Sequence, residues 1–188
     1  MRLPVVLASF LLAAACRHES DLPKLYPVPS APLVAETGKP TNLDDLRGRV
    51  VVYSFIFTRC GATCPIMTRA MRGITEKIED GAPVAFVSVS VDPVYDTPQV
   101  LAEFAKRERN DPRWTFLTGD RELINRISTE GFKLAATSAG TDEEPILHSS
   151  KFIVADKKGM IRAYYNGMDQ EEIAKLVEDV RVLAREDV

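Results

Sequence analysis

Residues able to ligate soft metals or cycle electrons are scarce in this chain. Its 188 residues hold three cysteines, Cys16, Cys60 and Cys64, and two histidines, His18 and His148. An excess of either charge sign is also lacking. Lys and Arg number 24 against 27 Asp and Glu, a formal net charge of −3, so nothing in the charge points to a nucleic-acid partner. No segment repeats, which excludes a solenoid or array. No apolar run approaches the roughly 20 residues that a membrane-spanning helix needs. Composition is otherwise that of a globular protein, 45% hydrophobic and 27% charged, with length enough for one domain and a sizeable core.

The first 16 residues stand apart. Arg2 precedes an apolar stretch from Leu3 to Ala15 that ends Ala13-Ala14-Ala15-Cys16. At about a dozen residues it suits the h-region of a secretory leader. Small residues directly before a cysteine match a bacterial lipoprotein cleavage site, although Ala13 stands where leucine is usual. Cys16 is therefore expected to carry lipid, with an ordinary signal or an uncleaved anchor as the alternatives. Residues 17–33 carry Pro23, Pro27, Pro29 and Pro32 among polar residues and read as an extended tether, in which His18 is a solvated linker residue. The folded domain is expected over residues 34–188.

With Cys16 assigned to the anchor, Cys60 and Cys64 are the one pair left for the domain. They sit in the stretch that organises the chain, V-V-V-Y-S-F-I-F-T-R-C-G-A-T-C-P-I-M from Val50 to Met67. Val50 to Phe57 is apolar on both alternating faces, as in a strand at the middle of a parallel sheet. From Pro65, tolerated in a first helical turn, the period becomes helical, with Ile66, Met67, Ala70, Met71, Ile74 and Ile78 as one stripe. The cysteines thus fall at a strand-to-helix junction, at the carboxyl edge of a sheet. Residues four apart on a helix share a face, within reach of one metal ion or of a disulfide. Helix-start amides favour the thiolate, which is both nucleophile and metal ligand. The alternative is a structural disulfide or two inert core thiols. Export implies an oxidising compartment, where the pair is oxidised unless reduced or metallated.

The remaining elements follow in order. Residues 34–49 form a turn-rich lead-in, and Pro83 to Val91 is a second strand. Thr97 caps a helix that Pro98 opens, with Val100, Leu101, Phe104 and Ala105 inward. Trp114 to Leu117 is a short strand, and Asp120 caps a helix that ends at Gly131. A polar loop over 136–147 leads to His148 and the strand Ser150 to Ala155. Asp156-Lys157-Lys158-Gly159 turns a hairpin whose second strand is Met160 to Tyr165. Asp169 and Glu172 open the last helix in the manner of a capping box, with Ile173, Leu176, Val177, Val180 and Leu183 as its stripe. The order predicts an α/β fold of thioredoxin-like type, a central mixed sheet flanked by helices on both faces. In that fold the loop before the hairpin packs near the active-site helix, which would bring His148 toward Cys60 and Cys64.

Three segments, T-R-C-G-A-T-C-P, V-D-P-V-Y-D-T-P and L-H-S-S-K-F-I-V-A-D-K-K-G, resemble the Sco/SenC family of copper chaperones for cytochrome c oxidase. The resemblance runs from about Asn42 to the end of the last helix. It implies that Cys60, Cys64 and His148 bind copper. It also implies delivery of that copper to the binuclear centre of oxidase subunit II, or reduction of that centre's cysteines. Gly61-Ala62 departs from the family's proline and acidic residue, and a lipid on Cys16 would replace the family's transmembrane helix. The domain would then stand on the extracytoplasmic side of a membrane. Donor chemistry agrees: two thiolates and an imidazole make a soft site suited to Cu(I) or Cu(II), with zinc second.

Other residues carry two readings each. Asp92 is either an acceptor behind the metal site or a loop-fixing residue. Asp96 and Thr97 are accounted for by helix capping. Met67 and Met71 are expected in the core rather than as thioether ligands. Arg59 and Arg69 either steady thiolate charge or are solvated. The rival function is a thiol-disulfide oxidoreductase, with Cys60 attacking and Cys64 resolving. A copper or redox sensor would use the same residues.

Overall fold

The computed structural model describes residues 20–61, 63–134 and 149–186. The leader with Cys16, His18, and the 136–147 loop with His148 lie outside the described residues. In chain order the elements are strands β1 (Tyr26–Pro27), β2 (Pro32–Ala35), β3 (Pro40–Asn42) and β4 (Val50–Ile56), then helix α1 (Thr63–Thr75). Strand β5 (Val84–Ser90), helix α2 (Pro98–Glu108), strand β6 (Trp114–Thr118) and helix α3 (Arg121–Arg126) follow. Helix α3 widens into a π-type turn over Ile127–Gly131. The hairpin β7 (Lys151–Ala155) and β8 (Met160–Asn166) and helix α4 (Gln170–Arg185) complete the set.

Strand β4 is buried at all seven positions, because it has a partner on each edge and cover on each face. The sheet runs β1-β8-β7-β4-β5-β6-β2-β3. Strands β4, β5 and β6 are parallel, and β7 joins β4 antiparallel, which is the mixed sheet expected. On one face Tyr53 and Phe55 meet Phe132, just beyond the α3 turn, with ring centroids 4.9 and 5.2 Å apart. On the other, Ser54 and Ser88 share a hydrogen bond of 2.8 Å and the Trp114 indole N–H donates to Ser88 Oγ at 3.0 Å. Phe104 of α2 seats on Phe116 there, edge to face at 5.5 Å. The sheet therefore has cover on both faces, and the buried hydroxyls of Ser54 and Ser88 are satisfied.

Local signals set the helix ends. Thr97 Oγ1 accepts from Val100 N (3.4 Å), Asp120 from Leu123 N (2.8 Å) and Asp169 from Glu171 N (2.8 Å). Glu172 does not close a box on Asp169; its carboxylate accepts instead from Asn166 N (2.5 Å). The five apolar residues of the α4 stripe are all buried. At about 1.5–3 kcal/mol each, that stripe contributes roughly 7–15 kcal/mol before the entropy of ordering. In the β7–β8 turn, Gly159 takes a φ of 75° and Asp156 Oδ1 accepts from Lys158 N and Met160 N, both at 2.9 Å.

Three expectations need correction. From Ser20 onward, the segment expected as a free tether lies on the domain. Tyr26–Pro27 pairs with β8, and Val28, Ala31 and Leu33 are buried. Arg162, only 2% exposed, holds the segment down by donating to Leu22 O (2.6 Å) and Pro23 O (3.1 Å) while pairing with Asp156 (3.1 Å). The prolines suit an edge strand as well as a linker, since an edge needs few donors. The lead-in over 34–49 carries the β2–β3 hairpin and a 3-10 turn at Leu43–Leu46, capped by Asn42. Ile66, placed in the α1 stripe, is 41% exposed, whereas Met67, Met71 and Ile74 are buried.

Candidate metal centre

Parallel pairing builds the site. Ile56 at the end of β4 is in register with Ser90 at the end of β5, so the loops after both strands rise side by side. The first loop carries Thr58, Arg59 and Cys60; the second carries Asp92, Tyr95 and Asp96. Asp96 is fully buried and joins the loops. It accepts from Thr58 N (3.0 Å), from Ser90 Oγ (2.5 Å) and from the Thr58 hydroxyl. Burial raises its carboxyl above the usual range, against the pull of the bonds from Ser90 and Thr58. Capping explains Thr97 but not Asp96. Asp96 is the residue that sequence reasoning missed, and the D-x-x-x-D-T-P segment was the signal available.

Asp92, 5% exposed, takes the Arg59 guanidinium at 2.7 Å and fixes the cysteine loop from the second side. Arg59 also lies 4.3 Å over the Tyr95 ring, a cation–π contact. Its charge is thus engaged by Asp92 and Tyr95. Arg69 is exposed on α1. Met67 and Met71, at 2% and 1% exposure, are core residues as expected.

Cys60 N donates to Phe57 O (3.3 Å), which curls the chain out of β4. Helix α1 then starts at Thr63, so the Cys64 N–H belongs to the first turn, where amides lack helical partners. That N–H donates to Cys60 Sγ at 3.3 Å. Both cysteines are free thiols and buried, at 9% and 7% exposure. Burial, and next its hydrogen bond with Cys60, pushes the Cys64 thiol up to about 12. The expectation that the helix start favours the thiolate at both positions therefore fails at Cys64. The amide there is spent on Cys60 sulfur, and desolvation governs Cys64 itself.

Among the described residues no three His, Cys, Asp or Glu side chains converge as a metal cluster. Cys60 and Cys64 offer two sulfur donors. The chain re-enters the described residues at Ser149, and Ser150 O accepts from Gly167 N (2.7 Å). A Cβ on Gly167 would stand 2.3 Å from Met67 Sδ, one helical turn beyond Cys64. Gly167, bonded to the residue before β7, thus lies against the cysteine helix.

A mixed sheet with a C-x3-C pair at its strand-to-helix junction defines a thioredoxin-like dithiol protein. The SCO1/SenC family profile matches residues 30–185, and the chain belongs to that family. A SCO1 protein homolog of Bacillus subtilis is 31% identical, over 92% of this chain and 91% of its own. The crystal structure of a SCO1/SenC family lipoprotein from Bacillus anthracis aligns with a TM-score of 0.77 at 29% identity, over 85% of this chain and 96% of that one. BsSco, a member of the Sco family of cytochrome c oxidase assembly proteins with an identified disulfide switch, aligns at 0.76 and 30% identity, over 88% and 97%. An Arabidopsis thaliana ScoI solved with copper bound shares the fold, with a TM-score of 0.69 at 24% identity over 81% and 97%. No helix among the described residues is long and apolar enough to cross a membrane.

Proposed function

We propose that this protein is a copper-binding metallochaperone of cytochrome c oxidase assembly, holding copper through Cys60, Cys64 and His148. The observation that carries the reading is the buried Cys60–Cys64 pair with its N–H to sulfur bond of 3.3 Å. Two sulfur donors at one helix start, in a pocket that keeps Cys64 a neutral thiol, fit a soft monovalent cargo that displaces a proton on binding. The contact of Gly167, bonded to Ser150, with Met67 supports His148 as the third donor, since His148 lies two residues before Ser150. The recipient is the binuclear copper centre of oxidase subunit II. A lipid on Cys16 holds the domain at the extracytoplasmic face of the membrane, and the family lipoprotein from Bacillus anthracis supports that anchoring.

The disulfide identified in BsSco favours a second reading, reduction of the recipient's own disulfide. Cys60 thiolate would attack one sulfur, releasing the other as thiolate. Cys64 would then give up its proton and attack Cys60 in the mixed disulfide, breaking its bond to the partner and releasing the partner's second thiolate, so that a Cys60–Cys64 disulfide forms and two electrons pass to the partner.

Anaerobic titration of the reduced protein with Cu(I) and Cu(II), beside an assay of disulfide reduction, separates the readings. Cys60→Ser and Cys64→Ser should damage binding of both copper states, and oxidation of the pair should abolish it. His148→Ala should weaken Cu(II) far more than Cu(I), because Cu(I) tolerates two-coordinate thiolate ligation. If His148→Ala binds Cu(II) like the parent yet loses reductase turnover, histidine is no ligand and the metallochaperone reading fails.

A further inference from the structure

A groove of about 670 Å³ runs from the cysteines along α1, with α2 as its other wall. A second depression, about 370 Å³ over Arg59, Tyr95 and Gln99, shares Thr58 and Arg107 with it, so the two form one channel across the site. Along α1 the lining extends from Cys64 to Glu76. At 1.5 Å per helical residue that is about 18 Å, the reach of roughly five or six residues of extended chain.

Two features of this channel remain without a use inside the protein. Arg69 and Arg72 line it without an ion pair among the described residues, and Arg107 lines it from α2, 5.7 Å over the Phe104 ring. Of the acidic residues along the channel, Glu76 is held by Asn110 at 3.0 Å, Glu103 is paired with Lys106 at 2.5 Å, and Glu108 lines the same wall as the arginines. Arg69 and Arg72 thus leave unpaired positive charge along the α1 wall of a chain whose net charge is −3. The second feature is Thr68, one turn beyond Cys64. It lines the channel, is 3% exposed, and its hydroxyl has no hydrogen-bond partner. Buried hydroxyls are normally paired, and an extended backbone laid in the channel would supply the partner.

We propose that this channel docks an extended acidic peptide segment of a partner protein, with its carboxylates on Arg69, Arg72 and Arg107 and a backbone group on Thr68. The proposal rests on the function above only in that the docked segment brings its sulfur to Cys60. A compact anion would leave most of the length empty, whereas an extended chain spans both depressions.

The test uses the full reduced chain in a zwitterionic detergent and two labelled hexapeptides, read by fluorescence anisotropy. One peptide carries glutamate at alternate positions with a central serine; in the other each glutamate is glutamine. The glutamate peptide should bind about tenfold more tightly at low salt, and Arg69→Gln with Arg72→Gln should erase that preference. Thr68→Val, which breaks no internal bond, should weaken both peptides about threefold or more without lowering stability. Equal binding of the two peptides, or an arginine double variant that keeps the preference, would overturn the proposal. So would arginine-dependent uptake of phosphatidylglycerol micelles by a chain that does not discriminate the peptides, since the occupant would then be a lipid surface. Copper titration of the same samples keeps the two ideas apart. Peptide discrimination in a chain that binds no copper would support the channel and sink the metallochaperone reading.

Discussion

Asp96 offers the sharpest test of how the site is held. Asp96→Ala removes the acceptor of three hydrogen bonds and leaves Thr58 N–H and the Thr58 and Ser90 hydroxyls facing an empty space. Each unsatisfied buried group costs about 1–3 kcal/mol, and relief from burying a charge offsets part of the sum. The net loss should be about 3 kcal/mol, or roughly 6–12 °C in Tm for a chain of this size. Asp96→Asn keeps the acceptor for Thr58 N–H, and its amide donates to hydroxyls free to rotate, so its loss should be about 1 kcal/mol. A pH series adds a sign. Burial raises the Asp96 carboxyl, so the folded state binds its proton more tightly than the unfolded chain. Stability from this group therefore grows as pH falls through the raised folded value toward the unfolded one, and is lost on the way back up. The parent should gain on Asp96→Asn as the solution is acidified. Urea unfolding of the reduced protein from neutral pH downward measures all three quantities. Both variants within about 0.5 kcal/mol of the parent, or a gap that narrows in acid, would refute the hub.

Three further outcomes are expected. Arg162→Ala should cost about 3–5 kcal/mol, because it strands a buried Asp156 and the Leu22 and Pro23 carbonyls, and limited proteolysis should then cut within residues 20–28. Gly167→Ala should cost about 1–3 kcal/mol by forcing Met67 and Phe152 aside, with partial recovery when Met67→Val is added; an unchanged urea midpoint would contradict the contact. Cys16→Ser should move the protein out of the membrane fraction, and an intact mass showing an unmodified chain that begins elsewhere would exclude the lipid.

Much of the fold was legible because its signals are local. An unbroken apolar run marks β4, Thr97 before Pro98 marks the start of α2, Asp156 to Gly159 marks a hairpin, and a 3.6-residue stripe marks α4. Each depends on residues within a turn or two of one another. The position of Cys60 and Cys64 was legible for the same reason, since a strand and a helix meet around them.

What the linear chain concealed are relations between distant segments. Asp96 looks like a neighbour of a helix cap until β5 pairs with β4 and its loop meets Thr58. Arg162 is an unremarked residue of the hairpin's second strand until residues 20–28 and Glu186 close over it. The proline-rich stretch reads as linker because its partner strand, β8, lies more than a hundred residues away. Cys64 reads as an activated thiol from its helix position, yet desolvation by the assembled core outweighs the helix start. Sequence by itself determined the main elements from β4 onward, their order and the place of the cysteine pair between a strand and a helix. Only the tertiary structure decided which charges are buried, which are paired and which thiol the helix amide serves, because burial and pairing are properties of contacts between elements and no single element carries them.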